Sequence, residues 1–300
     1  MVVTMFIADR WKDYTLLDAV GGERLERWGE YLLVRPDPQV IWGGEKRRPE
    51  WFRADGVYQR SREGGGKWVK KDLPEEWTVS YGDLRFLLSP MGFKHTGLFP
   101  EQAVNWDWFS GLIRSCPRQI RVLNLFAYTG GATVAAAKAG AFVCHVDASK
   151  GMVARAKQNA ALSGIPGDRI RYIVDDCAKF VAREIRRGNR YDAIILDPPS
   201  FGRGPNGERW VIEESLDGLV ELICGVLSDD PLFVLLNSYT TGLSPAANGY
   251  LLSRHMRRFG GSVESAELGL PVVESGLPLP CGASSRWSRS VSDTQKERQA

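Results

Sequence analysis

Residues 121–148, RVLNLFAYTGGATVAAAKAGAFVCHVDA, contain the pattern that decides the fold. The stretch begins with apolar, β-favouring residues: Val122, Leu123, Leu125 and Phe126. The turn Thr129-Gly130-Gly131 follows, and then an alanine-rich helical run. A second apolar run, from Phe142 to Val146, ends at Asp147. Strand, glycine turn, helix, strand and acid in this order are typical of a nucleotide-binding βαβ unit. The glycines permit a tight turn and close approach of the backbone to a ligand, and the acid can accept hydrogen bonds from both ribose hydroxyls.

The glycine turn lacks the patterns that bind phosphates. The dinucleotide pattern G-x-G-x-x-G is absent because only Gly130 and Gly131 occur in the turn, and the sequence has no G-x-x-x-x-G-K-[ST] loop. A ligand that has ribose and adenine but no phosphates therefore fits the turn better. An ordinary βαβ crossover without a ligand is the alternative for this stretch taken alone.

Residues 124–130, Asn-Leu-Phe-Ala-Tyr-Thr-Gly, resemble motif I of class I S-adenosylmethionine-dependent methyltransferases, in the N-L-F-x-Y-T-G form of a group of large-subunit ribosomal RNA methyltransferases. The sequence departs from the broader D-x-x-x-G-x-G pattern at two places, with Asn124 for the usual acid and Tyr128 for the first glycine. The resemblance implies S-adenosylmethionine as the cofactor, S-adenosylhomocysteine as its product, and no metal. It implies that the following residues bind the cofactor: Asn124, Phe126, Ala127, Tyr128, Thr129, Gly130, Asp147 and Ala148.

Residues 92–115 are similar to the K-T-G-x-F-x-D-Q element that precedes motif I in the same methyltransferase group. His95 stands where the group has lysine, and Glu101 stands where it has aspartate. The other reading is a helix cap at Thr96-Gly97 followed by an amphipathic helix that begins near Glu101. The resemblance places three residues near the methionine end of the cofactor: Thr96, Phe99 and Gln102.

From Ile120 onward, strand and helix patterns alternate along the chain. Ser149 is a candidate N-cap for a helix that extends to about Leu162 and is stopped by Gly164. The alternation predicts an α/β fold with a Rossmann-like, doubly wound sheet, and the family resemblance implies seven strands with the last one antiparallel. The later predicted elements are strands at 170–174, 191–196, 232–236, 262–270 and 284–290, helices at 213–227 and 245–259, and a loop at 276–282.

The N-terminal part reads as a small antiparallel β-domain, because short β-like runs alternate with turns rich in glycine and proline. Its tryptophans either fill a thin core or form a stacking surface for unpaired bases beside Lys46-Arg47-Arg48 and the lysines at 67, 70 and 71. The β-like runs are residues 31–34, 39–42, 56–58, 67–69, 77–79 and 84–88. The predicted division of the chain is an N-terminal β-rich domain at 1–91, a connector and helix at 92–118, the methyltransferase domain at 119–292 and a tail at 293–300.

Polar residues follow the predicted strands at their carboxyl ends, where sheets of this kind bind ligands. The strand at 170–174 is followed by Asp175-Asp176-Cys177. Asp176 is expected to accept a hydrogen bond from the adenine amino group, while the Cys177 backbone amide meets the adenine ring. Asp175 could take the role of Asp176, since a shift of one residue is within the error of sequence-based placement. The alternative for Asp176 is a helix N-cap.

Asp197-Pro198-Pro199-Ser200-Phe201 matches the [D/N]-P-P-x motif IV of methyltransferases that act on exocyclic or amide nitrogens. The prolines stiffen the backbone and leave carbonyls free to accept hydrogen bonds. An amino group that donates to the Asp197 carboxylate and the Pro198 carbonyl is held with its nitrogen lone pair toward the sulfonium methyl, so catalysis is mostly alignment and electrostatics. A proline-rich turn that ends a strand is the alternative. The expected catalytic residues are Asp197, Pro198, Ser200 and Phe201. Asp197 is also expected to contact the cofactor, and the ring of Phe201 could stack on the flat target group.

Methylation of carbon-5 of a pyrimidine is the competing chemistry, and it needs a cysteine thiolate to add to the ring first. Similar RNA methyltransferases place that cysteine after the Pro-Pro pair or at the end of the fifth strand, where this chain has Ser200 and Asn237-Ser238-Tyr239. Cys281 is the remote candidate that remains. Transfer to a nitrogen is therefore the preferred reading.

Composition limits the remaining functions. Over 300 residues the formal charge is +3, with 43% hydrophobic and 25% charged residues, so binding of nucleic acid would need a local basic patch. The five cysteines form no C-x-x-C pair, which indicates reduced thiols in a cytoplasmic protein, and no run has the length of a membrane span. The sequence thus predicts a methyltransferase that acts on a nitrogen of RNA, with ribosomal RNA implied by the resemblance alone. The rivals are a methyltransferase for a protein or small molecule and a non-catalytic RNA- or adenosine-binding module.

Overall fold

The chain forms two compact units. The computed structural model describes residues 5–61, 65–204, 207–240 and 242–289. The first unit consists of Phe6–Val104 and a later segment, Leu268–Cys281; the second consists of Met5, Asn105–Glu267 and the described residues from Gly282 onward. The tail predicted at 293–300 lies outside the described residues, as does the last residue of the strand predicted at 284–290.

The strands of the N-terminal part confirm a β-rich region. They are β1 (Met5–Ile7), β2 (Tyr14–Val20), β3 (Glu23–Trp28), β4 (Tyr31–Pro36), β5 (Gly56–Arg60), β6 (Gly66–Lys70), β7 (Trp77–Tyr81) and β8 (Leu84–Leu88). One sheet has the order β2-β3-β4-β5-β6, and β7 pairs with β8. The prediction of a purely antiparallel domain is wrong at one pair, because β4 and β5 run parallel. The connection between them spans residues 37–55, which is long enough for the crossover that parallel strands need.

The strand predicted at residues 39–42 is wrong. Asp37 organises a turn there: its side chain accepts from the Gln39 N–H at 2.9 Å and its carbonyl accepts from the Val40 N–H at 3.2 Å. These bonds use backbone donors that a sheet would need. The apolar pattern that suggested a strand does not mark a sheet face, since Ile41 is 88% exposed.

Tryptophans contribute to the core of the first unit. Trp28 is fully buried, and Trp51 and Trp77 are buried as well, which confirms the core reading for these three residues. Four of the basic residues considered for a stacking surface pair with acids. Lys46 pairs with Glu23, Arg47 with Glu45, Arg48 with Glu50 and Glu274, and Lys70 with Glu75.

Glu26 lies at the centre of a buried ionic cluster in the first unit. Arg35 donates to both of its carboxylate oxygens, at 2.5 Å and 2.8 Å, and the Tyr14 hydroxyl donates at 2.9 Å. Burial acts to raise the pKa of Glu26, but the guanidinium groups of Arg24 and Arg35 lower it to about 2. The charge is tolerated inside the protein because it is paired and hydrogen-bonded.

The second unit contains the alternating part of the chain. Its helices are α1 (Ala103–Ser115, which begins in the first unit), α2 (Gly131–Lys138), α3 (Lys150–Leu162), α4 (Cys177–Arg186), α5 (Ile212–Ile223) and α6 (Pro245–Met256). Its strands are β9 (Arg121–Leu125), β10 (Phe142–Asp147), β11 (Ile170–Val174), β12 (Ala193–Leu196), β13 (Phe201–Arg203), β14 (Arg209–Val211) and β15 (Phe233–Ser238). The last two strands, β16 (Ser262–Pro271) and β17 (Pro278–Ser288), each have residues assigned to both units.

The described strands form the predicted Rossmann-like sheet, in the order β1-β16-β17-β15-β12-β9-β10-β11. The neighbours from β15 to β11 are parallel, and β17 runs antiparallel to β15. The seven strands with the last one antiparallel are confirmed, and β1 adds an eighth at the edge. The hairpin of β13 and β14 is separate. The loop predicted at 276–282 is shorter than predicted, because β17 begins at Pro278.

Local signals place the helix boundaries well. The side chain of Ser149 caps α3 by accepting from the Met152 N–H at 3.4 Å, and Gly164 beyond its end has a φ of 66°. The helix predicted at 213–227 ends earlier, at Ile223. No helix within the described ranges has both the length and the apolar character needed to cross a membrane.

Candidate active site

The central strands bring several predicted segments to one edge of the second unit. Leu125 of β9 pairs with Val146 of β10 and with Leu196 of β12, and Asp147 of β10 pairs with Val174 of β11. The residues that follow these positions therefore share the carboxyl edge of the parallel strands. This is the edge at which such sheets bind ligands.

The turn after β9 has an unusual backbone. Phe126 and Tyr128 have φ angles of 56° and 50°, a left-handed conformation that glycine adopts readily and other residues adopt rarely. The Tyr128 N–H donates to Asp147 Oδ2 at 2.8 Å, which stabilises this conformation. The structure thus explains how a tyrosine occupies a position at which motif I usually has glycine. Strained backbone of this kind is concentrated at functional sites.

Gly130 allows the same turn to pack against α3. Its φ is 84°, and a Cβ atom there would lie 2.9 Å from the Cβ of Ala156. A larger side chain would therefore displace α3 or change the turn. The carbonyl of Thr129 accepts from Asn159 Nδ2 at 2.8 Å, which adds a second link between the turn and α3.

The backbone holds both carboxylate oxygens of Asp147. Oδ2 accepts from the Tyr128 N–H and Oδ1 accepts from the Ser149 N–H, each at 2.8 Å. Burial raises the pKa of Asp147, and these two hydrogen bonds act in the opposite direction. Because a carboxylate oxygen has more than one acceptor site, each can still accept from a ribose hydroxyl. The residue therefore fits a cofactor that contains ribose.

Asn124 belongs to a buried chain of polar groups. Its Nδ2 donates to Thr133 Oγ1 at 2.8 Å, and the same hydroxyl lies 2.9 Å from Nδ1 of the fully buried His145. The chain joins β9, α2 and β10. The side-chain amide of Asn124 is thus bonded within the protein and supports the turn, while its contact with the cofactor stays a prediction.

We expect acidification to destabilise the protein through His145. Burial lowers the pKa of His145 to about 3, whereas histidine in an unfolded chain has a pKa of about 6.5. Between these values the unfolded state binds a proton that the folded state does not bind. The free energy of unfolding therefore falls as the pH falls, by at most about 1.4 kcal/mol per pH unit for this group, and the full contribution is present above a pH of about 6.5.

Urea unfolding of the wild type and of His145→Gln, at pH values of about 7, 6 and 5, measures this dependence. The variant should lose stability less steeply. It retains His95, whose pKa burial and the nearby Arg35 lower to about 4, so some acid sensitivity should remain. Equal slopes for the two proteins would contradict the assignment to His145.

The end of β11 carries the acids predicted for adenine. Asp176 is the N-cap of α4, and its Oδ1 accepts from the Lys179 N–H at 2.8 Å. Asp176 therefore caps α4, as the alternative prediction for this residue stated. Capping uses one carboxylate oxygen, so the residue can cap the helix and accept from a ligand at the same time. Asp175 does not cap the helix; its carboxylate pairs with Arg183.

Cys177 connects α4 to the turn after β9. Its buried Sγ accepts from the Phe126 N–H at 3.3 Å. Cys177 is the first residue of α4, so its own N–H has no acceptor within the helix. This geometry is compatible with the predicted contact between the Cys177 amide and the adenine ring.

The segment Asp197–Phe201 follows β12 at the same edge. The Asp197 N–H donates to the Leu125 carbonyl at 3.4 Å, so the segment begins beside the end of β9. Ser200 Oγ and Thr240 Oγ1 lie 2.6 Å apart, which links the segment to the chain after β15. Phe201 is 59% exposed, as a ring that stacks on an incoming ligand must be.

The carbonyl groups of this segment differ in their partners. The Pro199 carbonyl accepts from Trp210 Nε1 at 2.7 Å, and the Ser200 carbonyl accepts from the first N–H of α5 at 3.1 Å. Among the residues that the structure describes, none donates to the Pro198 carbonyl. The Pro198 carbonyl is therefore an acceptor without a donor among the described residues, and it is next in the chain to the Asp197 carboxylate.

Three residues predicted at the cofactor belong to the first unit. Thr96 and Gln102 are buried there, and the Phe99 ring lies 5.6 Å from the ring of His95. The helix predicted to begin near Glu101 is α1. The contacts of these three residues with the cofactor stay predictions.

The cysteines do not favour thiolate chemistry. Burial raises the pKa of Cys144 to about 11 and also raises the pKa values of Cys177 and Cys224. Burial and the nearby Glu101 carboxylate raise the pKa of Cys281. A thiol with a raised pKa supplies little thiolate near neutral pH, so these four residues are poor nucleophiles.

Trp210 and Thr240 contact the candidate site but were not predicted from the sequence. Each reaches the site through a side-chain hydrogen bond to the segment Asp197–Phe201. Neither residue lies in a local pattern that marks a site. The one available signal was an aromatic residue in a short β-like run soon after the two prolines.

Comparison with known proteins identifies the family of the chain. A family model described as S-adenosylmethionine-dependent methyltransferase matches residues 51–224. A ribosomal RNA large subunit methyltransferase K/L of Shewanella baltica is 33% identical over 63% of this chain and 23% of its own length. The chain thus spans less than a quarter of that curated relative.

Solved structures show the same fold. A S-adenosylmethionine-dependent methyltransferase from Agrobacterium tumefaciens is 36% identical, with a TM-score of 0.90 over 97% of this chain and 95% of that chain. The tRNA m1G37 methyltransferase of M. jannaschii has a similar fold at 12% identity, with a TM-score of 0.56 over 91% of this chain and 71% of that chain. The chain therefore belongs to the S-adenosylmethionine-dependent methyltransferases.

Proposed function

We propose that this enzyme methylates a nitrogen of an RNA base by direct in-line transfer. When bound, S-adenosylmethionine supplies a methyl group on a positively charged sulfur. The residues of the chain then have two tasks: to hold the adenosine part of the cofactor, and to turn the lone pair of the acceptor nitrogen toward the methyl group. The observation that carries the proposal is the Pro198 carbonyl, which accepts from no described residue and is next in the chain to the Asp197 carboxylate.

This pair of acceptors suits an amino group. An amino group has two N–H donors, and each finds one acceptor, which leaves the nitrogen lone pair for the reaction. A base carbonyl has no donor and would meet two groups that repel it. The neighbouring carbonyls of Pro199 and Ser200 already have donors, so they do not compete for the substrate. The enzyme thus lowers the barrier by alignment and electrostatics, without a covalent intermediate.

We assign cofactor binding to the turn after β9 and to the ends of β10 and β11. Asp147 accepts from the ribose hydroxyls, Asp176 accepts from the adenine amino group, and the Cys177 N–H donates to the adenine ring. Asn124 supports the turn through Thr133. The other residues assigned to the cofactor are Phe126, Ala127, Tyr128, Thr129, Gly130 and Ala148.

The alternatives fit the site less well. Attack at carbon-5 of a pyrimidine needs a reactive thiolate, and the pKa values of Cys144, Cys177, Cys224 and Cys281 are raised. A module that only binds RNA or adenosine has no use for two acceptors arranged around an amine. Support for RNA as the substrate comes from the relative named as a ribosomal RNA methyltransferase and from the exposed ring of Phe201 beside the acceptors.

Incubation with methyl-labelled S-adenosylmethionine and whole-cell RNA or protein extract is expected to label RNA. The label should be lost on ribonuclease treatment, and digestion to nucleosides should give a base methylated on nitrogen. Asp197→Asn is the matched control and should transfer little label. Label in the protein fraction would favour a protein substrate, and a carbon-5 methylated pyrimidine would contradict the nitrogen mechanism.

A further inference from the structure

The hairpin after the proposed acceptor segment carries a tryptophan that contacts both parts of the site. β13 and β14 pair with Gly202 opposite Trp210. Trp210 is partly exposed and packs at the margin of the hydrophobic core of the second unit. Its position between two site turns therefore needs an explanation beyond filling the core.

Trp210 makes two contacts of different kinds. Its indole N–H donates to the Pro199 carbonyl at 2.7 Å. Its ring lies 5.0 Å from the ring of Phe126, with an angle of 54° between the two planes. Phe126 is the first residue of the turn after β9 and has a φ of 56°. One side chain thus bonds the acceptor segment with its polar group and packs on the cofactor turn with its apolar face.

The hairpin is held tightly in this position. A Cβ atom at Gly202 would lie 3.3 Å from Cγ of Pro199 and 3.9 Å from Cβ of Trp210. Glu208, in the connection between the two strands, pairs with Lys179 of α4. The backbone of the hairpin therefore packs directly on the acceptor segment, and an ion pair connects its far end to the helix that begins at the proposed adenine site.

We propose that Trp210 is a positioning residue for methyl transfer. Its indole N–H occupies the Pro199 carbonyl, so the substrate binds to the Pro198 carbonyl instead. Its ring packs on Phe126 and holds that residue in the cofactor turn. A hydrogen bond and a ring contact from one side chain limit the relative movement of two turns that must present cofactor and acceptor in line. The inference rests on the proposed function of the segment Asp197–Phe201.

Calorimetric binding of S-adenosylhomocysteine tests the contact with Phe126 and needs no acceptor. Trp210→Phe keeps an aromatic ring and should bind within about twofold of the wild type. Trp210→Ala removes the ring and should bind about tenfold more weakly, as expected for the loss of one aromatic pair beside the site. Equal affinity of Trp210→Ala and the wild type would overturn the role at the cofactor turn.

Single-turnover transfer tests the hydrogen bond to Pro199. Trp210→Phe lacks the indole N–H and should transfer about tenfold more slowly, with the cofactor affinity unchanged. Trp287→Phe is the matched control, because Trp287 Nε1 donates to the Gly260 carbonyl at 2.8 Å within the same unit. This control should melt at a lower temperature and retain the rate. A Trp210→Phe enzyme as fast as the wild type would overturn the positioning role.

Failure of the proposed function and failure of the positioning role of Trp210 would give different results. If the wild type labels no fraction, the proposed function fails, and the calorimetric comparison still decides whether Trp210 acts on the cofactor turn. If the wild type is active and both Trp210 variants match it in rate and affinity, the inference fails and the proposed function stands.

Discussion

Asp197→Ala is expected to slow methyl transfer by about 10²–10³-fold, with little change in the affinity for S-adenosylmethionine. The carboxylate is one of two adjacent acceptors that follow β12. Without it, an amino group is held by the Pro198 carbonyl alone, and its lone pair is no longer aimed at the methyl group. Single-turnover rates and calorimetry on the same preparations measure both quantities.

Asp197→Asn is the stricter version of this test. Asparagine keeps the shape of the side chain but replaces one acceptor oxygen by a donor, which repels a substrate amine. Asp229→Asn removes the same charge from an exposed position of the second unit and should retain the rate. A fully active Asp197→Ala enzyme would exclude alignment of an amine as the mechanism.

Asp147→Ala is expected to weaken binding of S-adenosylhomocysteine by about 10²-fold, because two hydrogen bonds to a charged group are together worth about 3 kcal/mol. The substitution acts in two ways. It removes the acceptors proposed for the ribose, and it leaves the N–H groups of Tyr128 and Ser149 without their acceptor. Calorimetry on protein freed of carried-over ligand measures the change.

The control for this variant is Asp168→Asn, at an exposed position of the same unit, which should bind as the wild type does. Urea unfolding of Asp147→Ala separates lost affinity from a loosened turn, because a loosened turn lowers stability in the absence of ligand as well. Unchanged affinity would remove Asp147 from the cofactor site.

Local patterns predicted the strands that form the site. Ile170–Val174 is apolar and bounded by turn residues, and the structure has β11 at the same residues. Glu23–Trp28 was not predicted as a strand, and four of its six residues are charged. It forms β3 because Glu26 is paired across the sheet with Arg35, which no pattern within the segment reveals.

The candidate site also contains some features that local sequence patterns predicted and others that they did not. The acids at the strand ends were predicted, since an acid after a buried strand is a local feature. The bond from Asn124 to Thr133 and the contacts of Trp210 were not predicted, because each depends on which side chains the fold brings together. The N-cap at Asp176 is a local feature, and the sequence offered it as an alternative.

The sequence by itself determined the order of strands and helices in the second unit and the positions of Asp147 and Asp197, because hydrophobic periodicity and turn residues act over a few neighbouring positions. Only the tertiary structure decided that β4 and β5 are parallel and that the Pro199 carbonyl, rather than the Pro198 carbonyl, accepts a hydrogen bond. It also decided that Leu268–Cys281 belongs to the first unit, where the Val273 N–H donates to the Leu16 carbonyl. Each of these depends on contacts between residues distant in the chain, and a local pattern carries no information about them.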